Sequence, residues 1–284
     1  MARPLASIVI AAHDEAAVIE RCLDAIAGSS GEPAEFDVTV VANGCSDDTA
    51  DRARKYPGVR VVELAQPGKA GALNAGDRVA VGFPRIYLDA DIVVTGQQLR
   101  TLCQALQGGP LVVVPRRQLV VVGRPLLVRA YYAVQVRLPA FENGLFGRGV
   151  IALSESARAR FDDFPEQVAD DLFLDSLFTA TEKRQVDGVV SVVSTPRRTR
   201  DLLNRLVRVR RGNADLRATA AAGSIRQSAP LSWLVDVVLP RPWLAPAAIG
   251  YVGITLSAAL LARRPARPGQ EWVKDASSRQ EPVR

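Results

Sequence analysis

The sequence predicts an α/β fold, a mostly parallel sheet flanked by helices, followed by an apolar helical segment. Three observations predict it. In the first hundred residues short β-branched runs alternate with longer amphipathic stretches, the pattern of repeated β and α units. Polar and glycine residues gather directly after the apolar runs, where an open sheet of this kind collects ligands beyond the carboxyl ends of its strands. Near the carboxyl terminus, Trp243 to Ala262 runs for twenty residues without a charge, the length a helix needs to cross a bilayer.

Taken in order, strands are expected at Ser7 to Ala12, Asp37 to Ala42, Val59 to Leu64 and Arg85 to Asp89. Helices fill the gaps at about Ala17 to Ala27, Asp47 to Tyr56 and Ala70 to Val81, each opened by polar or turn residues. His13, Asp14 and Glu15 follow the first strand, Asn43 to Asp48 the second, Gln66 to Lys69 the third and Asp89 to Asp91 the fourth. Strand-like runs at Leu111 to Val114 and Leu119 to Val122 lead to a glycine-rich loop, Asn143 to Gly149, and a helix is expected over Val168 to Phe178. From Arg197 to Arg217 arginine is dense, with Leu202, Leu206 and Val209 on one helical stripe, which reads as a basic amphipathic helix. The tail from Pro265 is polar and expected to be mobile. The expected organisation is an α/β domain over 1–218, an apolar helical segment over 219–264 and a polar tail over 265–284.

Composition narrows the classes. At 284 residues the chain exceeds the roughly 100 to 200 residues of a common domain, and one large domain with an appendage accounts for it. With 48% hydrophobic and 23% charged residues it is globular in composition, while a mean hydropathy of +0.07 leaves room for apolar surface facing lipid. The formal charge of +6 sits in arginine-rich stretches, so an anionic partner is local: nucleic acid, lipid headgroups or a sugar diphosphate. Nucleic acid is disfavoured, because the arginines lie beside the apolar segment without interleaved aromatics. Cys22, Cys45 and Cys103 are too few and too far apart for a disulfide framework or a zinc site, and a reducing cytoplasm is the simplest reading. The run Leu5 to Ala12 has the look of a signal-peptide core but ends in His13-Asp14-Glu15 with a helical pattern behind it, so it reads as a first strand.

The chemistry gathers at Tyr87-Leu88-Asp89-Ala90-Asp91, where two carboxylates finish an apolar strand. Buried without partners they would be costly. A hard cation, Mg²⁺ or Mn²⁺, resolves this by taking one or two carboxylates together with phosphate oxygens and water; the alternative is two solvated aspartates at a strand-end turn. Lys69, in a glycine-flanked turn ahead of a helix, either neutralises a diphosphate or is a solvated surface lysine.

Four stretches in order carry a family resemblance: Ser7-Ile8-Val9-Ile10-Ala11-Ala12-His13-Asp14-Glu15, Val40-Val41-Ala42-Asn43-Gly44-Cys45-Ser46-Asp47-Asp48-Thr49, Gly68-Lys69-Ala70-Gly71-Ala72-Leu73-Asn74-Ala75-Gly76, and Leu88-Asp89-Ala90-Asp91. Over about Ala6 to Gly212 the chain resembles a family 2 glycosyltransferase with the GT-A fold. The resemblance implies a donor site formed by Ala11, His13, Glu15, Asn43, Lys69, Asp89 and Arg208, with the metal on Asp91 and Asp89. His13, Asp14 and Glu15 stand where the family usually has an aromatic, Asn and Glu, and Asn43 where many relatives place an aspartate that reads base and ribose. Asp14 or Glu15 also suits a helix start. Asp170-Asp171 resembles the family's acidic pair, with Asp171 at the position of the base that serves an inverting transfer; the same pair would also favour a helix N-terminus. Gly144 to Gly149, with Gly147 and Gly149, resembles the loop that admits the acceptor. Polymerising relatives carry a Gln, Arg and Trp motif downstream, of which Arg208 alone survives, and this favours addition of one sugar. Asn74 and Gly76 are expected to shape the turn and helix packing.

The resemblance therefore implies a metal-dependent enzyme that moves one sugar from a nucleotide-sugar donor to a hydroxyl acceptor, a lipid-linked or cell-envelope glycan being attractive beside the apolar segment. Expected localisation is the cytoplasmic face of the cell membrane. A single span at Trp243 to Ala262 would place Arg263, Arg264 and Arg267 opposite the catalytic domain, against the positive-inside tendency. A re-entrant or interfacial hairpin with Leu231 to Leu239 as its other arm removes that conflict; a buried helix of a soluble protein is the alternative. Trp233, Trp243 and Trp272 suit an interface belt. Two other readings compete: a sugar nucleotidyltransferase, for which the expected Gly-rich loop with Arg and Lys after the first strand is not found, and a membrane-binding scaffold that keeps the fold without catalysis.

Overall fold

The computed structural model describes residues 3–28, 35–142, 144–166, 170–218 and 231–264. The expected tail with Arg267 and Trp272, the start of the helix at Val168, Asn143 and the stretch 219–230 lie outside the described residues.

In chain order the elements are β1 (Ala6–Ala12), α1 (Ile19–Ala27), β2 (Phe36–Asn43), α2 (Thr49–Arg54), β3 (Val59–Leu64), α3 (Lys69–Val79), β4 (Arg85–Asp89), α4 (Gly96–Leu106), β5 (Val112–Val120), α5 (Leu126–Gln135), α6 (Pro139–Glu142), β6 (Val150–Leu153), α7 (Glu155–Arg158), α8 (Asp170–Leu177), β7 (Lys183–Ser194) and α9 (Thr199–Ala218). A π-helical turn at Trp233–Val238, a 3-10 turn at Pro242–Leu244 and α10 (Ala245–Ala262) follow. The first eight elements fall within a few residues of expectation, α4 excepted. The runs expected as two strands at Leu111 to Val114 and Leu119 to Val122 are one strand, β5. Pro115 lies past the β5–β6 pairing at Val112 and Val113, so its missing N–H breaks no bond of that ladder.

The chain forms two compact units, Met1–Gln118 with Gly147–Val193, and Leu119–Phe146 with Ser194–Arg284. The first carries the seven-stranded sheet, in the order β3-β2-β1-β4-β6-β5-β7. β1, β2, β3 and β4 are parallel, and β6 runs antiparallel to β4 and β5. β1 is buried except at Ala11, because both its faces are covered and its β-branched side chains pack on either side. The core joins Ile8 and Ile10 of β1 to Ile19 and Leu23 of α1 and to Leu99 and Leu102 of α4. Thr95 starts α4 with a reciprocal cap: Gln98 N–H donates to its hydroxyl oxygen, and Thr95 N–H donates to the Gln98 side chain. Below the site Asp77 accepts from Tyr87 Oη at 2.7 Å, from Arg158 Nε at 3.0 Å and from Arg85, all within the buried or half-buried interior.

The chain order reverses at β1: β2 and β3 lie to one side and β4 to the other. A reversal of this kind opens a crevice beyond the carboxyl ends of the two central strands. In register Ala11 lies beside Asp89 on β4 and Val41 on β2.

In the second unit, α10 packs with α5 and α9. Tyr131 stacks on Tyr251 with ring centroids 5.3 Å apart, and Leu202 and Ile254 are buried in the same cluster. Arg211 of α9 donates to the main-chain oxygens of Ala262 and Arg264. On the expected stripe Leu202 is buried, Leu206 packs beside it and Val209 is exposed. The chain from Pro242 to Ala262 is long and apolar enough to cross a membrane, and only 22% of it is buried. Trp243 and Ile249 are 71% and 76% exposed.

Candidate active site

The strand-end loops place most of the expected residues in the first unit. Asn43, almost fully buried, holds three of them together: its Nδ2 donates to Ala12 O at 2.7 Å and its Oδ1 accepts from Gly68 N at 2.9 Å. The amide is thereby directed at the main chain of the neighbouring loops. His13 Nδ1 lies 2.6 Å from Asn43 O. Asp14 takes a left-handed backbone conformation (φ +48°) and its Oδ1 accepts from Ser46 N at 2.7 Å. That N–H holds the Asp14 carboxyl below its ordinary range, against a smaller upward push from burial. Glu15 is buried and closes the turn that leads into α1: its N–H donates to Thr49 Oγ1 at 2.8 Å and its carbonyl accepts from Val18 and Ile19.

Lys69 opens α3 and joins two acids from distant parts of the chain. Its Nζ lies 2.7 Å from Asp89 Oδ1 and 2.9 Å from Asp170 Oδ2. Burial pulls the ammonium's pKa down, but the two carboxylates outweigh it and hold it well above the ordinary lysine value, so Lys69 stays a cation.

Asp89 and Asp91 bracket the turn after β4 and are both half-buried. Asp89 N donates to Gly149 O at 2.8 Å, and Ile92 N closes the turn on Asp89 O at 3.1 Å. The Arg21 guanidinium reaches the main-chain oxygen of Asp91 at 3.5 Å. Both carboxylates lie near the buried Cys22 thiol, which burial, then Asp91 and Asp89, push up to about 12. A hard cation fits this donor set: two carboxylates, with Asp89 Oδ2 lying outside the Lys69 pair and facing Gly149.

Asp171 opens α8 beside Asp170. Its Oδ2 accepts from Gly147 N at 3.0 Å and its Oδ1 from Leu172 N at 2.8 Å. Burial first, then the neighbouring Asp170 charge, push its carboxyl up to about 6, while Lys69 and the Gly147 N–H pull the other way. A carboxylate so tuned accepts a proton near neutral pH. Asp175, one turn on, is paired with Lys183 Nζ at 2.7 Å.

The tripeptide Gly147-Arg148-Gly149 connects these parts. Its first N–H holds Asp171 and its last carbonyl holds Asp89. Both glycines have positive φ, +57° and +69°, and a Cβ on Gly149 would lie 2.3 Å from Ile92 Cγ1, so glycine is required there. Arg148, not singled out in the sequence, is buried and pins the loop by donating to Pro115 O at 2.9 Å and to Gln185 Oε1. Burial pushes its pKa down to about 10, which leaves it charged. Asn74 exchanges two hydrogen bonds with the main chain of Phe164, at 3.0 and 2.7 Å. A Cβ on Gly76 would meet Val9 Cγ1 at 2.3 Å, so α3 lies directly on β1. Arg208 belongs to α9 in the second unit.

Comparisons with known proteins bear on the fold and the family. Among curated proteins, a glycosyltransferase, AglE, of Haloferax volcanii is 31% identical over 93 residues, 31% of this chain and 31% of that protein. Validoxylamine A glucosyltransferase of Streptomyces hygroscopicus subsp. limoneus is 29% identical over 110 residues, 37% of this chain and 24% of that protein. The matches thus span a third or less of these relatives' length. Among solved structures, the mannosyltransferase PcManGT of Pyrobaculum calidifontis, in complex with GDP-Man and Mn²⁺, superposes with a TM-score of 0.61 at 21% identity, covering 92% of this chain and 79% of that one. Glucosyl-3-phosphoglycerate synthase of Mycobacterium tuberculosis, with Mn²⁺, UDP and phosphoglyceric acid, gives 0.55 at 21% identity, covering 78% and 79%. These likenesses show a GT-A fold. The glycosyl transferase family 2 profile matches residues 7–151, more than half of the chain, and the chain belongs to that family.

Proposed function

We propose that this chain is an inverting glycosyltransferase that moves one sugar from a nucleotide-diphosphate sugar to a hydroxyl acceptor. The observation that carries the reading is Lys69, one cation joining Asp89 at the end of β4 to Asp170 beside Asp171. Asp171 accepts the acceptor's hydroxyl proton while that oxygen forms a bond to the anomeric carbon. The bond from that carbon to the diphosphate oxygen breaks on the opposite side, and the nucleoside diphosphate leaves. Asp89 and Asp91 are the residues that would hold Mg²⁺ or Mn²⁺, which when bound offsets the charge growing on the diphosphate. Solved neighbours containing Mn²⁺ with GDP-Man or with UDP support both the donor class and the metal. Ala11, His13, Glu15, Asn43 and Arg208 are assigned to the donor, His13 and Asn43 through the loop they brace, and Gly147 and Gly149 to the acceptor loop. The lost Gln and Trp around Arg208 favour single addition.

We place the enzyme at the cytoplasmic face of the cell membrane, with a lipid-linked acceptor. Its support is the second unit, where α10, about 27 Å long at 1.5 Å per residue, exposes Ile249, Leu256 and Leu260, and Leu126 and Val122 are exposed as well. An amphiphilic protein would place such a surface in lipid. Flotation of the full chain with vesicles tests this. The transfer is tested by incubating the protein with Mn²⁺ or Mg²⁺ and a panel of nucleotide sugars: one donor should release its nucleoside diphosphate, and a chelator should stop it. Failure of every donor to bind or turn over would overturn the reading.

A further inference from the structure

A different set of side chains meets across β1 and β2. In the parallel register Ala12 lies beside Ala42, so the two strands end together and bring His13, Asp14 and Cys45 into one cluster. One ligand atom from each lies within 4.8 Å of the others, and all three residues are half-buried. Cysteine spacing argues against a zinc site built on cysteines; a mixed set assembled from two strand ends is invisible to that count.

The imidazole is held in the manner of a metal ligand, with a carboxylate and a thiol beside it. His13 Nδ1 sits 2.6 Å from the Asn43 carbonyl oxygen. A carbonyl only accepts, so Nδ1 carries a proton, and in the neutral imidazole Nε2 then bears the lone pair. An imidazole that donates one N–H to a backbone carbonyl and presents the other nitrogen is the usual outer-shell arrangement of metal-binding histidines. Nε2 lies 3.8 Å from Asp14 Oδ2, while Asp14 Oδ1 is engaged by Ser46. Cys45 Sγ faces the same loop, 3.6 Å from Ala12 O.

We propose that His13 Nε2, Asp14 Oδ2 and Cys45 Sγ form a binding site for a soft divalent cation, Zn²⁺, separate from Asp89 and Asp91, and that its occupation shuts out the donor nucleotide. Nitrogen and thiolate ligands select zinc over magnesium. Zinc bonds of about 2.0 to 2.3 Å place tetrahedral ligands about 3.3 to 3.8 Å apart, so side-chain rotations of about 1 Å complete the set and leave a fourth position for water. Zinc replaces the thiol proton of Cys45, which passes to solvent, and binding therefore weakens as pH falls. The second half of the proposal rests on the assignment of His13 to the donor; the first does not.

The test uses the full chain freed of metal by a chelator and titrated with Co²⁺, whose thiolate charge-transfer band reports a sulfur ligand. One equivalent should raise the band and Zn²⁺ should abolish it. Cys45→Ser should remove the band, and His13→Asn, whose amide nitrogen stands at the Nδ1 position facing the Asn43 carbonyl and which lacks the Nε2 ligand, should weaken binding on the order of 100-fold. Asp91→Asn should keep it. No band in the wild type, or a band that survives Cys45→Ser, overturns the site. Zn²⁺ should then weaken nucleotide-sugar binding in Mn²⁺ at least tenfold in the wild type and leave Cys45→Ser unaffected. Zn²⁺ binding with unchanged donor affinity overturns the exclusion. A chain that gives the band yet binds no donor refutes the transferase reading and leaves the metal site standing.

Discussion

Replacing Gly149 by alanine strikes the point where the glycine-rich loop meets Asp89, the carboxylate proposed to hold the metal. Two costs follow from the geometry. Gly149 has φ +69°, a left-handed conformation that costs a residue with a Cβ about 1 to 2 kcal/mol. The new Cβ would lie 2.3 Å from Ile92 Cγ1 and 2.8 Å from Cδ1, and overpacking of that kind costs about 1 to 3 kcal/mol. Together Gly149→Ala should destabilise the fold by about 2 to 5 kcal/mol. Because Gly149 O accepts the Asp89 N–H, relief of the clash also shifts Asp89, and turnover should fall beyond what instability explains. The measurement is a double-mutant cycle in urea with Ile92→Ala. Ile92→Ala removes both clashing carbons, so the pair should show a favourable coupling of about 1 to 3 kcal/mol, leaving the conformational part unrelieved. If Gly149→Ala is neutral, or Ile92→Ala returns none of the loss, the close packing inferred for this loop is wrong.

Three further outcomes follow. Asp171→Asn should lower kcat by about 100-fold or more with the fold retained, and in the wild type kcat/KM should fall as pH drops through about 6, the pKa to which Asp171 is raised. The stability sign is opposite to that of a salt-bridged acid: with its folded pKa raised, Asp171 disfavours the folded state above about pH 6, and this contribution fades as pH falls towards the ordinary carboxylate value. Lys69→Met removes a charge that lowers the Asp171 pKa, so the acid limb of kcat/KM should move to higher pH; a fixed limb would separate Lys69 from the proton-accepting group. Asp77→Ala leaves Arg85 and Arg158 without their shared carboxylate in the interior, and urea unfolding should register a loss of about 3 to 5 kcal/mol.

The parallel half of the sheet was legible because each of β1 to β4 is a short β-branched run followed by a turn and an amphipathic stretch. Later elements hid their signals. Thr95 and Gln98 spell a capping box for α4, yet the apolar run Ile92-Val93-Val94 before it masks the helix start. Pro115-Arg116-Arg117 breaks the apolar pattern of β5, although on the side past its β6 pairing the strand tolerates both proline and exposed charge. β7 begins with Lys183, Arg184 and Gln185 and buries few side chains, so it resembled a loop. In the candidate site, Asp89, Lys69 and Asp171 are the residues that motif singles out. Motif does not show that Lys69 binds Asp170, because the pairing depends on how α8 returns to β4. Arg148 carries no local signal at all, its partners Pro115 and Gln185 being set by the antiparallel strands.

Gly147, Arg148 and Gly149 act as a ruler. The chain advances at most about 3.3 to 3.6 Å per residue, so the hydrogen bond that steadies Asp171 and the one that steadies Asp89 cannot drift apart. Under the proposed function, divergence in acceptor choice would be expected to leave this span alone and to work through the residues around it, since lengthening the tripeptide by even one residue would put the two carboxylates out of step.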